Sequence, residues 1–456
     1  MNAHNQTIAQ ELAAHFTGLQ YRDIDPASAA RIKTTLLDYL GVGLGGSRSE
    51  SGRIAAELVT SAGGKPEATL IGLGVKVPAA DAAFVNAVAS HSLEMDDVDK
   101  LALFHFSPPV VSAAMAAGEL ADCSGEEFLT AIFCGCEMME RLSRAANDNL
   151  RNRGFHTTAT AGVFGAAVAA AKLLGLTEAQ MVSAMGLAGA QSAGLMEMYG
   201  ESMQKRFNPA PAARNGVTAA QLAKLGFTGA ATIFEGERGF LKAFADGGTN
   251  PDELRPSKSG PYRLEVEFKP YACARPIHPA NEAAQALRPR ALGRLDQVER
   301  INVYRHPVWA HYHTNASPKN YHEAQVSLPY AVAVSLVEGD AFLDNFEGAE
   351  QKGTDVVRLM HRVRIIAEET LPTTVACRVE ILFAGGDKLV HQVNYAKGSA
   401  ENPMSPAERA AKFRKLAGRA MDPQALETLV RVAGEVDQLA HIRQLTACLS
   451  GGGVQR

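Results

Sequence analysis

Three places in this 456-residue chain set side chains that carry protons or positive charge just ahead of an expected helix start. His105 precedes Phe106-Ser107-Pro108-Pro109, where Ser107 reads as an N-cap and Pro108 as the first helical residue. His156 precedes Thr157-Thr158-Ala159, a second expected cap, and Lys205-Arg206 precede Asn208-Pro209, a third. A helix N-terminus presents unbonded amide donors and a partial positive charge, so it favours anions. Three such ends converging with two imidazoles, a lysine and an arginine would hold several carboxylates without a metal. Histidine titrates near neutral pH, so the same cluster would set a proton carrier beside the bound anion. Taken singly, each residue reads as readily as a packed or solvated loop side chain; the conjunction is what points to a site.

A fourth stretch, Lys269-Pro-Tyr-Ala-Cys-Ala-Arg275-Pro-Ile-His278-Pro279, brings two cations and a histidine to the end of an expected strand. The acidic run Glu94, Asp96, Asp97 and Asp99 offers oxygen ligands for a hard cation. It equally suits charge-assisted hydrogen bonds to nearby histidines and lysines, and that second role is the preferred one because it needs no metal. His311-Tyr-His313 alternates without a third ligand close by and stays unassigned. Gly41-Val-Gly-Leu-Gly-Gly46 matches the G-x-G-x-x-G dinucleotide fingerprint, which works only between a strand and a helix. Here it follows a helical run ending at Leu40, so it reads as a closely packed helix end.

The elements that must position these residues change character along the chain. Up to about residue 250 the pattern is helix after helix: Ala27 to Leu40 has helical apolar spacing, and Ser124-Gly-Glu-Glu127 and Thr177-Glu-Ala-Gln180 are capping boxes. Turn and breaker residues follow from Asn250 to Pro261. Alternation then predicts strands over Tyr262–Phe268, Arg300–Tyr304, Cys377–Phe383 and Leu389–Tyr395, the last two joined through Ala384-Gly-Gly-Asp387. A helix is expected over Glu323–Val337, and helix returns at Ser405-Pro-Ala-Glu408, in a tail that should pack back on the first half. The expected fold is mostly α: an all-helical domain over residues 1–254 and 401–456, with a smaller α+β lid over 255–400 and the site in the cleft between them.

Bulk composition excludes several classes. The net charge of −4, with both signs mixed throughout, gives no field that would attract nucleic acid or a membrane surface. The Ala/Gly-rich run from Ala159 to Ala171 is too short to span a bilayer. Met1 to Phe16 lacks a basic-then-apolar leader, and none of the six cysteines forms a C-x-x-C pair, so zinc and iron–sulfur sites are not signalled. Reduced thiols in a cytoplasmic protein are the expectation.

At these residues the chain resembles the MmgE/PrpD family, whose activities include 2-methylcitrate dehydratase, cis-aconitate decarboxylase and iminodisuccinate epimerase. The resemblance runs over nearly the whole chain. Its most specific stretches are His91-Ser-Leu-Glu-Met-Asp-Asp97, Gly154-Phe-His156, Gly194-Leu-Met-Glu-Met-Tyr-Gly200 through Lys205-Arg206, Phe234-Glu-Gly to Gly239-Phe-Leu241, and Lys269-Pro-Tyr with His278. The resemblance implies a homodimer that works without metal or other cofactor on a small anionic polycarboxylate. It also implies a catalytic histidine at His105, a second at His156, site lysines at Lys205 and Lys269, and the family's acidic position at Glu94. Arg206 and His278 join them as expected substrate contacts. The chain departs from the pattern at Val98, where threonine is common, at Phe106 for proline, at Asn208 for histidine, and at Ala274 for a histidine of the decarboxylase. These changes remove polar contacts, so no relative's exact substrate carries over.

The expected reaction is proton transfer at carbon beside a carboxylate, by a dehydratase or decarboxylase. His105 serves as general acid/base with His156 second, and Lys205 and Lys269 stabilise the accumulating negative charge. An epimerase or isomerase using the same site is the alternative, and a non-catalytic carboxylate binder a more distant one.

Overall fold

The computed structural model describes residues 6–99, 104–246, 249–256, 264–349 and 352–450. The chain is mostly helical and divides into two compact units, one of residues 1–198, 204–266 and 409–456, the other of 199–203 and 267–408.

The first unit opens with α1 (Ile8–Gly18), α2 (Pro26–Gly46) and α3 (Glu50–Ala62), followed by a two-residue hairpin pair, β1 (Ala68–Thr69) and β2 (Lys76–Val77). Then come α4 (Ala79–His91), α5 (Ser107–Ala121), α6 (Gly125–Ala146) and the short α7 (Asn149–Asn152) and α8 (Thr157–Thr160). Helices α9 (Gly162–Leu173), α10 (Glu178–Gly189), α11 (Gln204–Phe207), α12 (Pro209–Lys224) and α13 (Phe240–Ala245) complete this stretch. The starts follow the sequence where the signal is local. Ser124 and Thr177 each accept from the backbone N–H three residues on, while Glu127 and Gln180 reach back to the cap, as read.

The core of this unit is α9, which packs on α5, α6, α10 and α12, and is surrounded closely because its residues are small. A Cβ on Gly165 would stand 2.7 Å from the carbonyl oxygen of Gly135 on α6. One on Gly216 of α12 would stand 2.7 Å from the backbone nitrogen of Ala167. Neither position tolerates a side chain without helix separation. Gly41 to Gly46 form the last turns of α2, and a Cβ on Gly46 would meet the Ala89 carbonyl of α4. The apparent nucleotide fingerprint is therefore a helix end with close packing. Among the described residues, no helix is long and apolar enough to cross a membrane.

The second unit contains α14 (His278–Ala291), β3 (Val298–Arg305), α15 (Pro307–Ala310), α16 (Tyr321–Gln325), α17 (Leu328–Val337), α18 (Leu343–Phe346), α19 (Thr354–Met360), β4 (Val363–Ala367), β5 (Cys377–Phe383) and β6 (Lys388–Val393). Its sheet has the order β4-β3-β5-β6, with β3 and β4 parallel and the other pairs antiparallel. Cys377, Val379, Ile381 and Phe383 alternate inward on β5, and α14 packs on β5 and β6. The hairpin turns through Gly385 and Gly386, both at positive φ.

Three expectations fail here. The strand over Tyr262–Phe268 is not formed in its described part, which holds only a bridge position at Glu267; residues 257–263 lie outside the described set. The helix over Glu323–Val337 breaks between α16 and α17, because Ser327 caps a new start with Pro329 in its first turn. Strand β4 carried no alternation to announce it.

The tail, α20 (Pro406–Ala417), α21 (Pro423–Gly434) and α22 (Arg443–Thr446), belongs to the first unit from residue 409 on. Ser405 and Glu408 form the expected capping box. Lys412 is buried and donates to Asp38 of α2 at 2.6 Å and to the Met95 carbonyl at 2.7 Å.

Candidate active site

The loop after α4 collects most of the chemistry. His91 is the last residue of α4, and its Nδ1 lies 2.7 Å from Asp96 Oδ2. His105 Nδ1 lies 2.9 Å from the same oxygen and 2.6 Å from the Asp97 carbonyl. Carboxylate and carbonyl oxygens only accept, so both imidazoles carry a proton on Nδ1 and turn Nε2 outward from the aspartate. The two rings meet edge to face with centroids 4.8 Å apart. All three side chains are buried, and among the described residues His91 Nε2 has no hydrogen-bond partner. Burial drives the His91 pKa down to about 4, with His105 and Lys205 adding to the fall against the pull of Asp96.

One ligand atom each from His91, Asp96 and His105 fall within 4.8 Å of one another, close enough to hold an ion. In the arrangement present, both Nδ1 atoms converge on one aspartate oxygen at 2.7 and 2.9 Å, hydrogen-bond distances. The triad is hydrogen-bonded.

The preferred role for the acidic run is the observed one at Glu94 and Asp96, while Asp97 serves a helix start. Glu94 adopts a left-handed backbone with φ 58°, unusual for a residue bearing Cβ, and its carboxylate pairs with both Lys205 and Arg206. Asp96 holds the two histidines. Asp97 accepts from Phe106 N at 2.9 Å, from Ser107 N at 3.1 Å and from the Ser107 hydroxyl. Burial, with Asp96 close by, raises the Asp97 pKa. Asp99 closes its end of the loop by donating its N–H to the Phe104 carbonyl at 2.8 Å.

This corrects the helix-end argument at its centre. Ser107 does not cap α5; it is the first helical residue, and Asp97 caps the helix from ten residues back, since a carboxylate is the stronger acceptor for the free amides. The positive end of α5 is thus already neutralised. Lys205 and Arg206 lie in the short α11, just ahead of the expected α12 start at Pro209, but Asn208 in the cap position makes no side-chain cap on that helix. Thr157 does not cap either: it opens α8, and His156 occupies the cap position without a side-chain bond to it.

His156 is nonetheless brought into the cluster. Its ring centroid lies 6.2 Å from that of His91, and Thr158 next to it accepts from His105 N at 3.1 Å. Asn208 Nδ2 lies 3.2 Å from His156 Nδ1. Burial holds the His156 pKa well below the ordinary imidazole value, with His91, His105, Lys205 and Arg151 all disfavouring a further positive charge.

The first unit therefore unites His105, His156, Lys205, Arg206 and Glu94. Lys269 and His278 belong to the second unit. There His278 is the first residue of α14, with Nε2 3.0 Å from the Cys273 carbonyl and Nδ1 3.1 Å from Arg275 Nη1, so it is held neutral with its proton on Nε2. Arg275 is further committed to Glu267 at 2.7 Å and to the Lys397 carbonyl at 2.8 Å.

Sequence reading gave Asp96 a role toward nearby histidines but named none for His91, although a histidine followed five residues later by an aspartate was a usable signal. It also gave no hint of Lys412, which steadies the Glu94–Asp96 loop from the far end of the chain through Met95. Burial lifts the pKa of its partner Asp38 to about 6 against the attraction of Lys412.

Comparison with known proteins agrees over the whole length. The chain is 28% identical over 470 residues to the cis-aconitate decarboxylase-like protein oryM of Aspergillus oryzae, covering 97% of each. It is 27% identical over 469 residues to cis-aconitate decarboxylase of Mus musculus, covering 99% of this chain and 95% of the relative. The human cis-aconitate decarboxylase is 27% identical over 462 residues, with 98% and 95% covered. The MmgE/PrpD N-terminal domain matches residues 10–252 and the MmgE/PrpD C-terminal domain residues 271–435. With both domains matched in order, the chain belongs to the MmgE/PrpD family.

Proposed function

We propose that this protein is a lyase that decarboxylates a small polycarboxylic acid of the cis-aconitate type, using its own side chains and no metal. The observation that carries the reading is the buried Asp96 oxygen shared by His91 and His105, beside the Glu94–Lys205–Arg206 ion cluster. Relatives that are named decarboxylases support the reaction type.

In this reading the C–C bond to one carboxylate breaks and carbon dioxide leaves. The bonding pair stays on the substrate, delocalised toward a remaining carboxylate. Lys205 stabilises that charge, in a buried setting where a fixed cation acts far more strongly than in water. His105, with Nδ1–H kept on Asp96, first takes a solvent proton on Nε2, then delivers that proton to the carbanion carbon and returns to its neutral form. His105 suits this role better than His91, whose pKa near 4 keeps it neutral at pH 7. Asp96 holds the His105 ring through Nδ1, so its proton exchange is confined to Nε2. The family resemblance implies a further site lysine at Lys269. Val98 and Ala274 stand where the family resemblance expects threonine and histidine, so no relative's exact substrate is carried over.

The test is proton NMR with trapped carbon dioxide, using cis-aconitate, 2-methylcitrate, citrate and amino-dicarboxylates. The reading requires carbon dioxide release with new alkene signals from at least one acid. Alkene without carbon dioxide would make it a dehydratase, inverted substrate alone an epimerase, and no change across the panel would overturn a catalytic role on these acids.

A further inference from the structure

The side chain at position 208 touches one of the two site histidines at the nitrogen that determines its tautomer. Asn208 Nδ2 lies 3.2 Å from the Leu195 carbonyl and 3.2 Å from His156 Nδ1, and it also touches the Met198 thioether at 3.0 Å. A carbonyl oxygen only accepts, so the amide edge facing Leu195 must be the NH2 group, which removes the usual ambiguity of amide orientation. The same nitrogen faces His156 Nδ1, which must then be the acceptor. A neutral imidazole that accepts at Nδ1 carries its proton on Nε2.

The frame around this contact is closed. Leu195 is held by a backbone bridge to Phe155, and His156 N donates to the Gly194 carbonyl at 3.1 Å. Gly194 has φ 116°, and a Cβ there would lie 2.5 Å from that of Ala159. The segment carrying Leu195 is thus pressed against α8, and Asn208 at the α12 entrance spans the two. The described charged and titratable groups acting on His156 are His91 at the end of α4, His105, Lys205 on α11 and Arg151 on α7; every one disfavours an imidazolium.

We propose that Asn208 is a positioning residue that locks His156 as a neutral imidazole with its proton on Nε2, making it a fixed hydrogen-bond donor and not a base. This rests on the proposed lyase reading for its catalytic meaning. His156 would donate to a substrate oxygen while His105, with the opposite tautomer, moves the proton.

The direct test is nitrogen NMR of the full-length protein labelled with 15N-histidine, using His156→Gln to assign the His156 signals. The wild-type ring should show a protonated Nε2 and an unprotonated Nδ1 at neutral pH and should not titrate near 6.5, where an unrestrained imidazole does. Asn208→Ala should shift both nitrogens toward a mixture of tautomers. Asn208→Asp, which sets an acceptor at Nδ1, should move the proton there. On a turned-over acid, Asn208→Ala should lower kcat about 10- to 100-fold, the usual range for partners that orient an imidazole, with KM much less affected. A wild-type His156 protonated on Nδ1 at neutral pH, or unchanged nitrogen shifts in Asn208→Ala, would overturn the assignment. The wild-type spectrum decides even if the variants fail to fold. It also decides if no acid is turned over, a result that would count against the lyase reading and leave the tautomer standing.

Discussion

The two histidines picked out by sequence sit in contrasting environments. His105 presents Nδ1 to acceptors, the Asp96 carboxylate and the Asp97 carbonyl, whereas His156 presents Nδ1 to a donor, the Asn208 amide. The same side chain is thereby set in opposite tautomers within one cluster. One turns Nδ1 to a negative partner; the other turns Nδ1 to an amide, among groups that disfavour a further positive charge. In the proposed lyase the contrast divides the labour: His105 is the group assigned to move a proton, and His156 the one assigned to offer a fixed hydrogen bond. The partner of the far ring nitrogen, more than the histidine itself, decides what each ring can do.

Apart from loss of His105 itself, the largest effect should come from the charge both histidines serve. Lys205→Met removes the cation facing Glu94 and should lower kcat about 100- to 1000-fold, with a rise in KM, in steady-state assays on the active acid. It should leave the two tautomers as they are, which nitrogen NMR can confirm. Asp96→Asn acts on one side of the comparison only. It keeps a possible acceptor for Nδ1 but loses the negative charge, and should lower kcat about 10- to 100-fold while the His156 nitrogen signals stay in place.

The smallest effect is on stability. His91 has a folded pKa near 4 against about 6.5 unfolded, so the unfolded chain binds the extra proton between those values. Its neutral form therefore contributes stability that is present above about pH 6.5 and is lost as pH falls toward 4. Urea titrations should show wild type losing more stability than His91→Gln over that window. Asp38 acts in the opposite sense. Its folded pKa of about 6 stands above the ordinary value, so its contribution is lost as pH rises through 6, which is why the difference between the two proteins is the quantity to measure.

How much of this was legible in the sequence depended on the range of the interaction. The capping boxes at Ser124, Thr177 and Ser405 were readable because cap and partner are three residues apart. The β5–β6 hairpin was readable for the same reason, from its alternation and its glycine turn. The α5 cap was misread because Ser107 looked sufficient locally, while the acceptor that wins, Asp97, reaches it only when the loop folds back. His105, His156 and Lys205 each lie shortly before a helix start, as the sequence reading expected, but Ser107 and Thr157 do not make the expected caps and Asp97 already fills the α5 end. Lys412 meeting Met95, 317 residues away, left no trace in the pattern at all.

The central claim is that His105 hands a proton to carbon. Run in D2O with the acid that is turned over, the wild-type enzyme should yield product carrying solvent deuterium on carbon. In His105→Gln the rate of that incorporation should fall about 100- to 10,000-fold, with the fold intact by circular dichroism. Deuterium entering carbon at the wild-type rate in His105→Gln would contradict it.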